Sequence, residues 1–198
     1  MLINLQSPEF CDDFLLCLAQ DPVHGISANR GVQRRCQTDR NIFFWLEDSA
    51  PVAVLCVAYT LGLTDTVKSI LDDSSPVAPS ADHAIFYSVF RTTAPAKTKN
   101  VGATLIREAA AWIKQNVQGI EKFVTMSPIP QLSKHFDAKP DLVDIADFLA
   151  NLKDPVARFH IRNGAQLLRV IPNADDSDLR SQQSWKTMVN YDYTTSIC

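Results

Sequence analysis

Three side chains of the kinds that hold and pass protons stand at the ends of recognisable elements. Ser127 opens Ser127-Pro128-Ile129-Pro130 where the apolar run Phe123–Met126 stops. The proline keeps Ser127 out of helical geometry and extended. A serine there either satisfies a turn or presents its hydroxyl to a ligand. His160 lies in Asp154-Pro155-Val156-Ala157-Arg158-Phe159-His160, near the end of a short helix. Its ordinary pKa near neutrality suits acid–base work, and the same position suits a helix cap. Tyr193 ends Asn190-Tyr191-Asp192-Tyr193, either as a packed strand aromatic or as a phenol donor. A fourth segment, Lys99-Asn100-Val101-Gly102-Ala103-Thr104, opens a long helix. Its free N–H groups and partial positive charge suit a phosphate, and a glycine lets a ligand approach the backbone; an ordinary helix start reads the same way.

The elements that must carry these groups are legible from periodicity. Residues 8–19 have helical spacing at Phe10, Phe14, Leu15 and Leu18. A polar, Arg-rich stretch covers Ser27–Arg40. Asn41–Leu46 and Val52–Thr60 read as two strands about the turn Glu47–Pro51, the second apolar enough to be central. Leu61–Leu71 reads as a short helix and Asp72–Asp82 as a loop. Ala84–Phe90 is a strand and Arg91–Val101 a polar loop. Gly102–Val117 is the strongest helix, with Leu105, Ile106, Ala109, Trp112, Ile113 and Val117 on one face and Gly119 to stop it. Lys122–Met126 is a strand and Asp141–Leu152 an amphipathic helix. Asp154-Pro155 starts a helix with Asp as cap and Pro in the first turn, and Asn163-Gly164 ends it. Ala165–Ile171 and Ser184–Tyr193 read as closing strands. The order fits an α/β domain with a mixed sheet flanked by helices, and 198 residues suit one domain over 1–198.

Bulk composition narrows the classes. Hydrophobic residues make up 46% and charged residues 21%, ordinary for a globular chain. A net charge of -3 points away from nucleic acid as a partner. The acidic N-terminus does not read as a signal peptide, and the longest apolar run, Pro51–Tyr59, is too short for a bilayer span. The five cysteines, Cys11, Cys17, Cys36, Cys56 and Cys198, include no C-x-x-C pair. They suggest neither a disulfide framework nor a metal site, and a reducing cytoplasm fits them.

Four segments in order resemble the catalytic domain of malonyl-CoA decarboxylase: Ala84-Ile85-Phe86-Tyr87-Ser88, Phe123–Pro130, Asp154–Ala165 and Asn190–Tyr193. The likeness runs from about Val23-His24 to Tyr193 and is densest at 84–90, 123–130 and 154–165. The family's large N-terminal helical domain has no counterpart here, and the stretch between Pro130 and Asp154 is shortened, so oligomeric state does not carry over. The resemblance implies a GNAT-like fold, that of the acyl-CoA N-acyltransferases. It implies catalytic roles for Ser127, His160 and Tyr193. It makes Lys99, Asn100, Val101, Gly102, Ala103 and Thr104 the loop that holds the pyrophosphate of coenzyme A. Lys99 and Thr104 depart from the fold's Arg/Gln-x-x-Gly-x-Gly/Ala pattern. Asn100 stands where the family places Glu near the catalytic histidine. A carboxylate there would raise the imidazole pKa, and an amide would not.

The reaction so implied is decarboxylation of a malonyl or methylmalonyl thioester, carried on coenzyme A or an acyl carrier protein. It requires no metal, biotin or pyridoxal, because the thioester carbonyl is the electron sink. The site must hold the carboxylate out of the thioester plane, donate a hydrogen bond to the enolate oxygen and protonate the α-carbon. His160 is the expected proton donor on the strength of a near-neutral pKa. The alternatives are acyl transfer from acyl-CoA to an acceptor, and non-catalytic binding of an acyl thioester.

Overall fold

A computed structural model describes residues 1–5, 12–23, 35, 37–71 and 80–197. Segment 8–11 of the expected first helix, most of Ser27–Arg40 and of the loop from Asp72, and Cys11, Cys36 and Cys198 lie outside the described residues. The described chain forms one sheet. Strands β1 (Leu2–Leu5), β2 (Arg40–Glu47), β3 (Ala50–Thr60) and β4 (His83–Arg91) make an antiparallel meander. Asp48 and Ser49 join β2 to β3 in two residues, both at positive φ (49° and 66°). That turn follows the natural twist of paired strands, which is why it is shorter than the sequence suggests.

Helix α1 (Asp12–Ala19) and helix α2 (Val67–Leu71) cover one face of the sheet. Helix α3 (Val101–Asn116) lies on the other face and carries the chain across to β5 (Lys122–Thr125), which runs parallel to β4. A parallel neighbour needs such a crossover. Leu105, Ile106 and Ile113 on α3 are at most 1% exposed. Burying each contributes about 1.5–3 kcal/mol and seats the helix. Every side chain of β3 from Val52 to Tyr59 is buried: Leu55 and Val57 face the α3 side, Val54 and Cys56 the other. This is the signature of a strand covered on both faces, as the apolar run implies.

Beyond β5 come β6 (Ser127–Pro128), α4 (Leu132–His135), α5 (Leu142–Ala150), α6 (Pro155–Arg162), β7 (Gln166–Ile171), α7 (Asp178–Ser184) and β8 (Met188–Asp192). The strand order is β1-β2-β3-β4-β5-β8-β6, with β7 on the other edge of β8. Four elements differ from expectation. Helix α7 occupies the approach to a closing strand expected from Ser184; Ser177 caps it by accepting the Arg180 N–H, and its polar sequence shows no apolar period. Strand β1 and helix α4 have only four residues each, too few for a period to show. Helix α3 ends at Asn116 because Val117 turns extended, before Gly119 is reached.

Two irregularities shape the middle of the sheet. Cys56 pairs with Ser88 and Val57 with Phe86, so Tyr87 bulges out of β4. Past Thr125 the chain then changes partner: Met126 N–H still bonds the Phe86 carbonyl of β4, while Ser127 pairs with Val189 of β8. The sheet opens where β4 and the β5–β6 segment part. Among the described residues no helix is long and apolar enough to cross a membrane.

Candidate active site

Ser127 sits at this opening, 4% exposed. Pro128 holds it extended and the β6–β8 pairing fixes its direction. Its Oγ lies 2.8 Å from Thr125 Oγ1 and 3.1 Å from His160 Nε2. The histidine arrives on α6, which spans about two turns. Asp154 caps that helix: one carboxylate oxygen accepts the Val156 N–H at 2.8 Å and the Ala157 N–H at 3.2 Å. The other accepts the Gln131 N–H at 3.0 Å, tying α6 to the loop after Ser127. At the far end, Gly164 (φ 93°) turns the chain, and its N–H bonds the Ile161 carbonyl.

Tyr193 completes the cluster. Its main-chain N–H bonds the Phe123 carbonyl of β5, and its hydroxyl lies 2.9 Å from His160 Nδ1. Both ring nitrogens of His160 therefore have partners. The imidazole stacks on Tyr191 at 4.8 Å between centroids and 24° between planes, and Phe159 and Tyr193 approach it edge-on. Burial in this aromatic cage pushes the His160 pKa down to about 3. The expected near-neutral imidazolium is thus corrected: at neutral pH His160 is an uncharged imidazole. The same burial pushes the Tyr193 phenol well above its ordinary value.

Ser127 and His160 line a cavity of about 470 Å³, together with Thr98, Asn100, Val101 and Gly102. Its remaining wall is mostly apolar, with Phe86, Val89, Met126 and Phe159 prominent. The cavity thus joins the proton-handling cluster to the N-terminus of α3, so that one ligand can touch both.

A family model of the malonyl-CoA decarboxylase C-terminal domain matches residues 16–150 and 146–197. The chain belongs to that family. Malonyl-CoA decarboxylase, mitochondrial, from Anser anser anser is 25% identical over 139 residues, which is 67% of this chain and 27% of that protein. The crystal structure of malonyl-CoA decarboxylase from Agrobacterium vitis superposes with a TM-score of 0.83 at 23% identity, over 98% of this chain and 60% of that one. The GphF GNAT-like decarboxylase, solved in complex with isobutyryl-CoA, superposes with a TM-score of 0.74 at 18% identity, over 96% of this chain and 97% of that one. The fold is therefore GNAT-like. The chain spans about a quarter of the Anser protein and three fifths of the Agrobacterium one.

Within this malonyl-CoA decarboxylase-type domain the three residues expected to be catalytic meet, and the six of the expected phosphate loop divide. Asn100, Val101 and Gly102 line the cavity, whereas Lys99, Ala103 and Thr104 do not. The amides of Ala103 and Thr104 already bond the Asn100 carbonyl. That leaves the N–H groups of Val101 and Gly102 ahead of the helix's own ladder, as at any helix start. Gly102 also has a packing reason: a Cβ there would come within 3.3 Å of the Phe159 ring. Asn100 has φ 54°, ψ 39° and makes no side-chain cap bond, a left-handed conformation that Asn tolerates better than most residues. The approach to the loop is pinned from the β2–β3 hairpin. The Thr98 hydroxyl and the Lys97 and Thr98 amides hold the Glu47 carboxyl down at about 2.

Sequence reading missed two residues of this site. Arg91, exposed at the end of β4, is the one guanidinium or ammonium among the described residues lining the cavity. Thr125 has its hydroxyl against Ser127. Arg91 was legible as the charge ending an apolar strand. Thr125 carried no local signal.

Proposed function

We propose that the chain decarboxylates a malonyl or methylmalonyl thioester to the acetyl or propionyl thioester and CO2. The observation that carries this reading is the buried Ser127–His160–Tyr193 cluster on the wall of a cavity shared with the α3 N-terminus. Family membership supports it. In this reading residues 1–198 work as one catalytic unit. The carrier's pyrophosphate lies at the Val101 and Gly102 amides, with Lys99 and Arg91 as cations and the rest of the Asn100–Thr104 turn as frame. The acyl end reaches Ser127 and His160 through the apolar wall.

Chemistry follows from what the wall lacks and what the cluster supplies. Apolar surroundings strip water from the carboxylate and favour its loss as neutral CO2. The C–C bond breaks, its electron pair moves into the thioester enolate, and Ser127 turns its one hydroxyl proton from Thr125 to the developing negative charge. The α-carbon then takes a proton. An uncharged imidazole passes one without ever becoming imidazolium: one ring nitrogen gives its proton as the other takes the Tyr193 proton, and solvent restores the phenol. No resident metal or organic cofactor enters these steps.

The test is incubation with malonyl-CoA and no acceptor. Stoichiometric CO2 and acetyl-CoA are expected, and parallel runs with methylmalonyl-CoA and malonyl acyl carrier protein rank the substrates. Binding without CO2 release from any of them, or acyl transfer only when an amine or thiol is added, overturns the reading.

A further inference from the structure

We propose that Thr125 is a positioning residue that sets the tautomer of His160: it accepts the Ser127 hydroxyl proton, so the ring proton of His160 resides on Nε2 and faces Ser127. This rests on the thioester-decarboxylase reading and names the residue that orients its proton donor.

The argument begins in the sheet. Strands β5 and β8 pair at Val124 with Asp192, and β6 pairs with β8 at Ser127 with Val189. Between these points main-chain bonds are replaced. The Tyr191 N–H goes to Thr125 Oγ1 at 3.1 Å. The Thr125 carbonyl accepts the Asn190 side-chain amide, and the Met126 N–H goes to Phe86 of β4. The Thr125 side chain, 1% exposed, thus fills an acceptor position in the seam where the sheet opens. A hydroxyl oxygen has two lone pairs. A peptide N–H of fixed direction takes one. The other can accept from Ser127 Oγ at 2.8 Å, an ordinary O–H to O separation, with the Thr125 proton turned away from Ser127.

The other end of the chain of bonds gives the same direction. A phenol is a better donor than an aliphatic hydroxyl, and a neutral imidazole nitrogen is a better acceptor than a phenol oxygen. Tyr193 therefore donates to Nδ1 at 2.9 Å. The hydrogen bond at one ring nitrogen decides which nitrogen keeps the proton. With Nδ1 accepting, the single ring proton sits on Nε2, whose 3.1 Å to Ser127 Oγ is an ordinary N–H to O separation. Donation runs one way: Tyr193 to His160 to Ser127 to Thr125. The reverse direction makes a phenol oxygen accept a ring N–H and turns the lone pair of His160, not its proton, toward Ser127.

The experiment is 15N NMR of the histidine rings in the full chain at neutral pH, with His160 assigned by its loss in His160→Asn. Wild type is expected to show Nε2 protonated and Nδ1 bare. Thr125→Val keeps the shape and deletes the acceptor. Nε2 is then the one side-chain acceptor left to Ser127; that bond turns the ring to the Nδ1–H form against the Tyr193 donation, and kcat on malonyl-CoA falls by roughly tenfold or more at unchanged KM, as expected when a proton-transfer histidine is held in the wrong tautomer. Thr125→Ser restores both tautomer and rate. A wild-type proton on Nδ1 overturns the proposal, as does a Thr125→Val ring with the wild-type tautomer. Should Thr125→Val not fold, since Tyr191 also loses its acceptor, the wild-type spectrum and Thr125→Ser decide. The spectrum is independent of turnover: an Nε2–H ring in a chain inert toward malonyl thioesters defeats the substrate reading and leaves the tautomer proposal standing.

Discussion

The Ser127–His160–Tyr193 cluster and the start of α3 face one cavity, yet they are built by opposite means. In the cluster every polar atom used is buried and bonded to another side chain, and the residues come from β6, α6 and the end of β8. At the α3 start the side chains Lys99 and Asn100 are exposed, and in the proposed reading main-chain N–H groups do the binding. Burial holds the first in one geometry and removes its charge. Backbone conformation shapes the second, with a left-handed Asn100, a close glycine and an approach pinned by Glu47. A region that performs proton transfer gains from exclusion of water. One that holds a phosphate gains from unspent amides and nearby cations. Substitutions in the two should therefore fail differently: rate in one, binding in the other.

The largest effect is expected in the cluster. Ser127→Ala and His160→Asn should each lower kcat for decarboxylation by about 10² or more, the scale of a positioned acid–base group, with KM nearly unchanged. Steady-state kinetics on malonyl-CoA read both numbers. A His160→Asn protein with near wild-type kcat removes the cluster from the chemistry.

Acid should expose the same cluster through stability. His160 has a folded pKa of about 3, below the ordinary 6.5. The unfolded chain therefore binds the proton first, and the stability from a neutral buried ring is complete above 6.5. It is lost as pH falls from 6.5 toward 3, by at most about 1.4 kcal/mol per pH unit. Urea midpoints between pH 7 and pH 4 should fall more steeply in wild type than in His160→Asn. Equal slopes would mean that the ring is hydrated or charged in the folded protein.

Phosphate-loop substitution sharpens the contrast from the other side. Gly102→Asp should raise the KM for malonyl-CoA by about 10-fold, near 1.4 kcal/mol, by setting a negative charge at the helix N-terminus. Its Cβ also presses on Phe159, which adjoins His160. Gly102→Ala separates the two causes: it presses on the ring without the charge, and should leave KM within about twofold if charge is what matters. Calorimetry with coenzyme A gives the binding constants directly.

How far each region could be read from sequence follows from how local its causes are. The α3 period and the Asp154-Pro155 cap are short-range, and the structure has both; at Ser127-Pro128 the chain does not stop but stays extended and changes partner to β8. The meeting of Ser127 with His160 and Tyr193 was legible only through resemblance, because it depends on strands and helices far apart in the chain. The low pKa of His160 needed the Tyr191 stack, and the part of Thr125 needed the pairing of β5 with β8. Neither leaves a trace in spacing. Helix α7 was missed for a different reason: its seven residues are capped but polar, so no apolar face announces it.

Asn100 gives the smallest expected effect and the sharpest test of how separate the two regions are. Resemblance to the family places Glu near the catalytic histidine at this point, and a carboxylate there would be expected to raise the imidazole pKa and move the pH optimum upward. The structure alters that expectation twice. His160 titrates near 3, so a modest upward shift still leaves it neutral through the usual assay range. Asn100 is left-handed, and Glu in that conformation costs about 1 kcal/mol. Asn100→Glu should therefore lower the urea-derived stability by about that amount while leaving the pH–rate profile in place and kcat within about twofold. A profile displaced upward together with a faster rate would mean that the introduced carboxylate reaches His160 and that the loop tunes the cluster by charge. A stability loss alone would mean that the residue at this position is chosen by backbone geometry, and that the two halves of the cavity communicate only through the ligand that spans them.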